Sequence, residues 1–252
     1  MIGIRRTVID GEVVGPGFVM SATYGHFTAM QVRNRRVRGL GPHLARLEAA
    51  SRELFGAAPD AELILGSIRT LLGEDIRDAS VRVYVLAEDR VRVVAMAGPP
   101  VDVSGTPQSV RTVVYQRFLP HIKHVGGFPQ VYLRQQAAGF DEALLTTEDG
   151  LISEGAITNL GCIGGGRVVW PDAPMLRGIT MRLIQETLER EGVPQEHRPL
   201  RAADLTGYDT VFLTNSRGIT QVGSVDGLPL DAQAAPMRWL LDRYEAIPWD
   251  EV

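Results

Sequence analysis

Lys123 is the single lysine of a 252-residue chain, and every other one of its 26 lysine and arginine residues is arginine. It stands in the stretch His121-Ile122-Lys123-His124-Val125-Gly126-Gly127. A guanidinium does not give up its proton in a protein and cannot attack a carbonyl. A lysine amine can, once burial or a neighbouring charge lowers its pKa. Arginine everywhere but at one position is the pattern left by chemistry that needs a neutral amine, above all a Schiff base with a carbonyl. Drift in a lysine-poor chain gives the same count, so the decision falls to residues further along.

Three stretches bear on it. Arg177-Gly178-Ile179-Thr180 stands where a helical pattern begins. There the unpaired backbone N–H groups and the positive end of the macrodipole favour an anion. Gly178 lets an anion come close to the backbone and Thr180 adds a hydroxyl, although a plain helix cap accounts for the same residues. Thr214-Asn215-Ser216-Arg217-Gly218 follows the strand pattern Val211-Phe212-Leu213. It offers hydroxyl and amide donors, each charge-assisted bond contributing about 1.5–3 kcal/mol; an ordinary polar turn has the same composition. Ile152-Ser153-Glu154-Gly155 sets a carboxylate at a strand end. A ring nitrogen kept protonated, as in pyridoxal phosphate, needs such a partner; a surface glutamate needs none.

These residues must be positioned by the elements around them. Residues 4–14 predict a hairpin turning at Asp10-Gly11. Phe27–Val32 and Arg36–Leu40 predict a second hairpin around Asn34-Arg35, in the same antiparallel sheet. A helix opens at Pro42, with Leu44, Leu47, Ala50, Ser51 and Leu54 at helical spacing, and closes at Gly56. A second helix follows Pro59-Asp60. Val81–Leu86 and Val91–Ala95 flank the charged turn Glu88-Asp89-Arg90, and Val110–Tyr115 is read as a further strand of this half. Strands and helices in segregated blocks give an α+β pattern.

The Pro/Gly/Ser-rich run from Gly98 to Thr106 begins a connection, so the expected division is an N-terminal α+β domain, 1–118, and a C-terminal domain, 119–252. The latter is predicted to hold helices at Gln130–Ala138, Met181–Glu191 and Met237–Tyr244. Strands are expected at Glu142–Thr146, Leu151–Glu154, Thr158–Ile163, Arg167–Trp170, Thr210–Thr214 and Ile219–Ser224.

A net charge of −4 provides no basic footprint for nucleic acid. The single cysteine, Cys162, excludes an internal disulfide and reads as a small buried hydrophobe in a reducing compartment. Met1-Ile2-Gly3-Ile4-Arg5-Arg6 lacks the apolar run of a signal peptide, and no window reaches the length of a membrane span, so a cytoplasmic protein is expected. The histidines have no spacing that suits a metal.

In sequence order, Lys123, Ile152-Ser153-Glu154-Gly155, Asn159-Leu160, Leu176-Arg177-Gly178-Ile179-Thr180 and the turn leading to Ser224-Val225-Asp226-Gly227 resemble the class IV aminotransferase family. That family includes branched-chain and D-amino acid aminotransferases and aminodeoxychorismate lyases. Tyr24-Gly25-His26-Phe27-Thr28 and His43-Leu44-Ala45-Arg46-Leu47 extend the resemblance over nearly the whole chain. It implies a type IV pyridoxal-phosphate fold with a small N-terminal α+β domain and a larger C-terminal domain with a β-barrel-like core. It also implies a homodimer, with an amino acid and a 2-oxo acid as substrates. Carried over, Lys123 holds pyridoxal 5'-phosphate as a Schiff base and moves the proton between substrate and cofactor. Glu154 pairs with the pyridine nitrogen, and Leu176 presses on one ring face. Arg46 reaches the phosphate, with Gly178, Ile179 and Thr180 at one turn and Asn215 and Ser216 at another.

The match departs from the family on the substrate side. Phe128 stands where many transaminases have a tyrosine five residues after the lysine, and Phe27 replaces another aromatic hydroxyl. Ala22-Thr23-Tyr24-Gly25-His26 replaces a Gly-Asp-Gly. His26, His121 and His124 are candidates to supply polar groups instead. The implied reaction is transamination. A lyase releasing pyruvate from aminodeoxychorismate is the alternative, and a non-catalytic relative is a third.

Overall fold

The structure is a computed structural model that describes residues 6–15, 23–87, 89–231 and 233–252. The expectations that rest on Met1 to Arg5, on Ala22 and on Glu88 lie outside the described residues. The chain forms two compact units: residues 1–102, 122–126 and 248–252, and residues 103–121 and 127–247.

The first unit begins with the expected hairpin, β1 (Arg6–Ile9) and β2 (Glu12–Val14), turning through the left-handed residues Asp10 and Gly11. β3 (Gly25–Val32) follows, then a tight turn in which Asn34 and Arg35 both have positive φ, as a two-residue hairpin turn requires. The strand that follows, β4, is only Arg36–Val37, and it lies outside the five-stranded sheet in which it was expected. The strand expected to run to Leu40 stops there because Gly39, at φ 74°, opens helix α1 (Leu40–Phe55). The left-handed Gly56 ends α1. The Asp60 side chain accepts from the Glu62 N–H at the start of α2 (Ala61–Leu72), so the second helix begins where its cap residue predicts. β5 (Ala79–Ala87) and β6 (Val91–Gly98) complete a five-stranded sheet of order β2-β1-β6-β5-β3.

α2 packs on β1 and β6, and its Ile64, Ile68, Leu71 and Leu72 share one buried cluster with Val8, Val81, Val83, Ala95 and Ala97 of this sheet. Each such side chain contributes at most about 1.5–3 kcal/mol through apolar area removed from water. β3 alternates strictly: His26, Thr28, Met30 and Val32 are buried while Phe27, Ala29 and Gln31 are half-buried. β3 ends the hydrogen-bonded order of the sheet, and 122–126 docks against it: the Phe27 N–H donates to Lys123 O and the Val125 N–H to Gly25 O, each at 2.9 Å.

The second unit opens with β7 (Gln108–Val114), then α3 (Phe128–Gln136), β8 (Glu142–Thr146), β9 (Ile152–Gly155), β10 (Asn159–Gly164) and β11 (Arg167–Pro171). α4 (Ile179–Arg190), β12 (Gln195–Arg198), a 3-10 turn over Ala202–Gly207, β13 (Thr210–Asn215), β14 (Gly218–Val225), β15 (Leu228–Pro229) and α5 (Ala234–Glu245) complete it. Its curled sheet has the order β12-β11-β10-β13-β14-β7-β8-β9, with β15 on β14. β7, expected with the N-terminal strands, instead runs parallel between β14 and β8 here. α4 and α5 cover one apolar cluster through Met181, Ile184, Leu188, Met237 and Leu240 with Trp170 and Phe212.

The chain then rejoins the first unit. β16 (Asp250–Glu251) pairs with β4, and the Asp250 carboxylate accepts from the Leu40 N–H at 2.8 Å, capping α1 where Gly39 offers no side chain. No helix among the described residues is long and apolar enough to cross a membrane.

Candidate active site

In the first unit, the docking of 122–126 fixes where Lys123 leaves the backbone. Its Nζ lies 5.0 Å from the Phe27 ring centroid, and that ring stacks on Tyr84 at 5.2 Å. His26 is turned to the opposite face of β3, because successive strand side chains alternate. It is 1% exposed, with Nε2 2.8 Å from Ser51 Oγ and its ring stacked on Phe55. Burial, and the charge of Arg46 behind it, lower His26 to about 4. His26 therefore belongs to the buried surroundings of Arg46 and not to the Phe27 face, where a substrate-side polar group was expected.

Arg46 comes from the face of α1 that packs on β3. Its Nη2 donates to Thr28 Oγ1, and its buried Nε has no acceptor. Among the described residues no carboxylate pairs with it. Burial lowers this guanidinium to about 10, which leaves it cationic at neutral pH. A buried cation without an anion is costly unless an anionic ligand completes it.

In the second unit, Glu154 is 4% exposed at the end of β9. Arg117 Nη1 donates to its Oε1 at 3.2 Å and the Leu176 N–H to its Oε2 at 3.3 Å. Asn159 clamps the loop before α4 with both ends of its amide. Its Nδ2 donates to Leu176 O at 2.7 Å, and its Oδ1 accepts from the Gly178 N–H at 3.1 Å. A Cβ on Gly178 would collide with Asn159 Oδ1. The clamped Asn159 amide thus accounts by itself for glycine at this position.

The first-turn N–H groups of Ile179 and Thr180 have no partner within the helix. Thr180 Oγ1 donates to Asn215 O at 2.6 Å and so ties the start of α4 to the end of β13. That hydroxyl proton is already committed, which leaves the backbone N–H as the Thr180 donor for an anion. Asn215 Oδ1 holds the Arg217 N–H at 2.8 Å, and Ser216 is half-buried in the same turn. Phe128 opens α3, 76% exposed and stacked on Tyr132.

One neighbour of these residues, Arg117, carries no signal in the sequence, whereas Thr214 was already marked by its polar turn. Arg117 is one of 25 arginines that nothing in its neighbourhood distinguishes, yet its side chain is 8% exposed against Glu154. Thr214, 1% exposed, has a buried hydroxyl without a partner beside the Asn215 turn. Cys162 is buried, and desolvation pushes its thiol far up, so it remains an inert hydrophobe as read. Among the described residues no cluster suits a metal ion.

In the first unit the unsatisfied Arg46 guanidinium suits a phosphate. In the second, the Thr214 hydroxyl suits a polar ligand group and Glu154 a cationic ring nitrogen. Residues 25–225 match the family model described as "Amino-transferase class IV". A "Putative branched-chain-amino-acid aminotransferase" of Methanocaldococcus jannaschii is 26% identical over 227 residues, 81% of this chain and 79% of that protein. Among solved structures, a hypothetical aminotransferase from Mycobacterium tuberculosis in its PLP-bound form superposes with a TM-score of 0.83. It is 19% identical, covering 96% of this chain and 98% of that one. A "Putative 4-amino-4-deoxychorismate lyase" from Legionella pneumophila gives a TM-score of 0.82 at 18% identity, over 93% of this chain and 97% of that one. The fold is therefore that of the type IV enzymes.

Proposed function

The chain belongs to the class IV aminotransferase family, and from that premise we propose that it exchanges an amino group between an apolar amino acid and a 2-oxo acid, with Lys123 as its catalytic residue. It is a pyridoxal-phosphate-dependent transaminase. When bound, the cofactor supplies a carbonyl that exchanges for an amine and a ring that draws electrons from the substrate α-carbon.

The observation that carries the reading is the lone lysine, backbone-locked on β3 with its amine over the Phe27 ring. Lys123 attaches the cofactor. Its Nζ would also carry the proton lost from the substrate α-carbon. Arg46 neutralises the phosphate; its half-buried guanidinium, with a buried Nε that lacks an acceptor and no carboxylate partner among the described residues, supports that role. In the second unit Ile179 and Thr180 offer backbone N–H donors, and Asn215 and Ser216 polar side chains, suited to an anionic group. Glu154 holds a proton at the ring nitrogen, and its two anchors, Arg117 and the Leu176 N–H, support a fixed orientation. Leu176, 6% exposed, would press on one face of the ring in this reading.

Phe27, backed by Tyr84, provides an apolar wall beside the lysine. That wall favours a donor with an apolar side chain, the class named in the branched-chain relatives. Phe128 extends the apolar side of the substrate site in this reading. The homodimer belongs to the same proposal. Exposed Phe118, Phe128, Val131 and Tyr132 in the second unit supply apolar surface that an assembly would cover.

The test adds L- and D-amino acids singly to the holoenzyme and follows the visible band of the bound cofactor. A donor with an apolar side chain should bleach the band, and a 2-oxo acid should restore it. A band that no member of the panel changes would contradict transamination. Pyruvate released from aminodeoxychorismate with no acceptor present would move the assignment to a lyase, the activity named for the fold-mate from Legionella pneumophila.

A further inference from the structure

We infer that Thr28 and His43 form a positioning pair that sets the Arg46 guanidinium for the cofactor phosphate. The inference rests on the reading of Arg46 as a phosphate ligand. His43 and Arg46 lie three residues apart on α1 and share the face that packs on β3. Thr28 faces them from the strand, 0% exposed, with Oγ1 2.6 Å from His43 Nδ1 and accepting from Arg46 Nη2.

The proton positions follow from what each group can do. Arginine only donates, so Thr28 spends a lone pair on Nη2. Its own hydroxyl proton then has one acceptor among the described residues, His43 Nδ1. Burial, with the charge of Arg46 in addition, holds His43 well below its ordinary pKa, so the ring is neutral and can accept. The proton of His43 is thereby assigned to Nε2. The chain of donors runs from Arg46 through Thr28 to His43, and each bond polarises the next.

The pair does for a buried cation what a carboxylate would do for its geometry, without neutralising it. One arm of the guanidinium is pinned, the charge stays available, and Nε remains a donor without a protein acceptor. A carboxylate in place of Thr28 would orient Arg46 equally well but would cancel the attraction for phosphate. A hydroxyl that can accept and donate at once suits the task, and valine, of similar shape, does not.

The experiment compares apparent dissociation constants of the apoprotein for pyridoxal phosphate and for pyridoxal, which keeps the ring and aldehyde but lacks the phosphate. Thr28→Val should weaken pyridoxal phosphate by about 10- to 100-fold, the scale of a misplaced charge-assisted hydrogen bond, and leave pyridoxal unchanged. Thr28→Ser should restore wild-type affinity. His43→Asn, whose amide oxygen replaces the Nδ1 acceptor, should bind more tightly than His43→Leu. This second pair provides the test should Thr28→Val fail to fold.

Wild-type affinity for pyridoxal phosphate in both Thr28→Val and His43→Leu would overturn the inference. So would equal losses for both ligands, which would reduce the pair to a structural role. A wild-type protein that takes up no pyridoxal phosphate would instead refute the functional reading itself.

Discussion

Replacing Arg117 by methionine, which keeps the stem and removes the charge, tests how Glu154 is held. The pair is buried on both sides, with side-chain exposures of 8% and 5% and Nη1 3.2 Å from Oε1. Methionine leaves the carboxylate buried without that cation, and the Leu176 N–H cannot replace its charge. Breaking a buried pair from one side costs about 3–5 kcal/mol. At about 2–4 °C per kcal/mol for a chain of this size, the midpoint of the second unit falls by about 6–20 °C. Calorimetry is the assay, because two compact units need not unfold together. The double variant Arg117→Met/Glu154→Gln, which leaves neither charge stranded, should lose less than Arg117→Met alone. A loss under about 1 kcal/mol in Arg117→Met, or a double variant worse than the sum of the singles, would refute the reasoning.

Lys123→Ala and Lys123→Arg should both fold, as read by circular dichroism, while transfer falls on the order of a thousandfold or more, because neither supplies a neutral amine. Glu154→Gln should lower turnover more than cofactor affinity, measured by steady-state rates beside cofactor titration. His26 has a folded pKa of about 4 against 6.5 when unfolded, so between these values the unfolded chain binds the extra proton. Its contribution to stability is flat above 6.5 and falls by about 1.4 kcal/mol per pH unit below it, with His43 acting in the same direction. His26→Asn should flatten that part of the denaturation profile relative to wild type. Asp250→Ala removes the cap on the Leu40 N–H and, being exposed, should cost only about 0.5–1 kcal/mol in chemical denaturation.

Elements marked by local chemistry were legible in the sequence. Gly56 and Asp60 punctuate α1 and α2, and the Asp10-Gly11 and Asn34-Arg35 turns adopt the positive φ that their residues invite. The ordered blocks around Lys123, Glu154 and Thr180 marked the family. What escaped depends on partners far along the chain. β12 is the polar run Gln195–Arg198, with no alternation to reveal it, and only its parallel neighbour β11 makes it a strand. β16 is two residues long and exists through its pairing with β4. β7 was read as a strand but counted with the N-terminal half, because strand pattern does not encode which neighbours it meets. The docking of 122–126 on β3 joins residues nearly a hundred positions apart, and the Arg117–Glu154 pair closes only in the folded unit. The crowding of a Cβ at Gly178 was not legible either, since the side chain that crowds it is that of Asn159, 19 residues earlier.

The central claim is that one lysine carries the cofactor, and a chain with a single lysine allows an unambiguous test. The holoprotein should be reduced with borohydride, digested, and its peptides mapped by mass. A pyridoxyl-phosphate adduct on the peptide containing Lys123, absent from Lys123→Ala, is the result predicted here. A protein that stays colourless with added pyridoxal phosphate and gains no mass on that peptide would contradict the account.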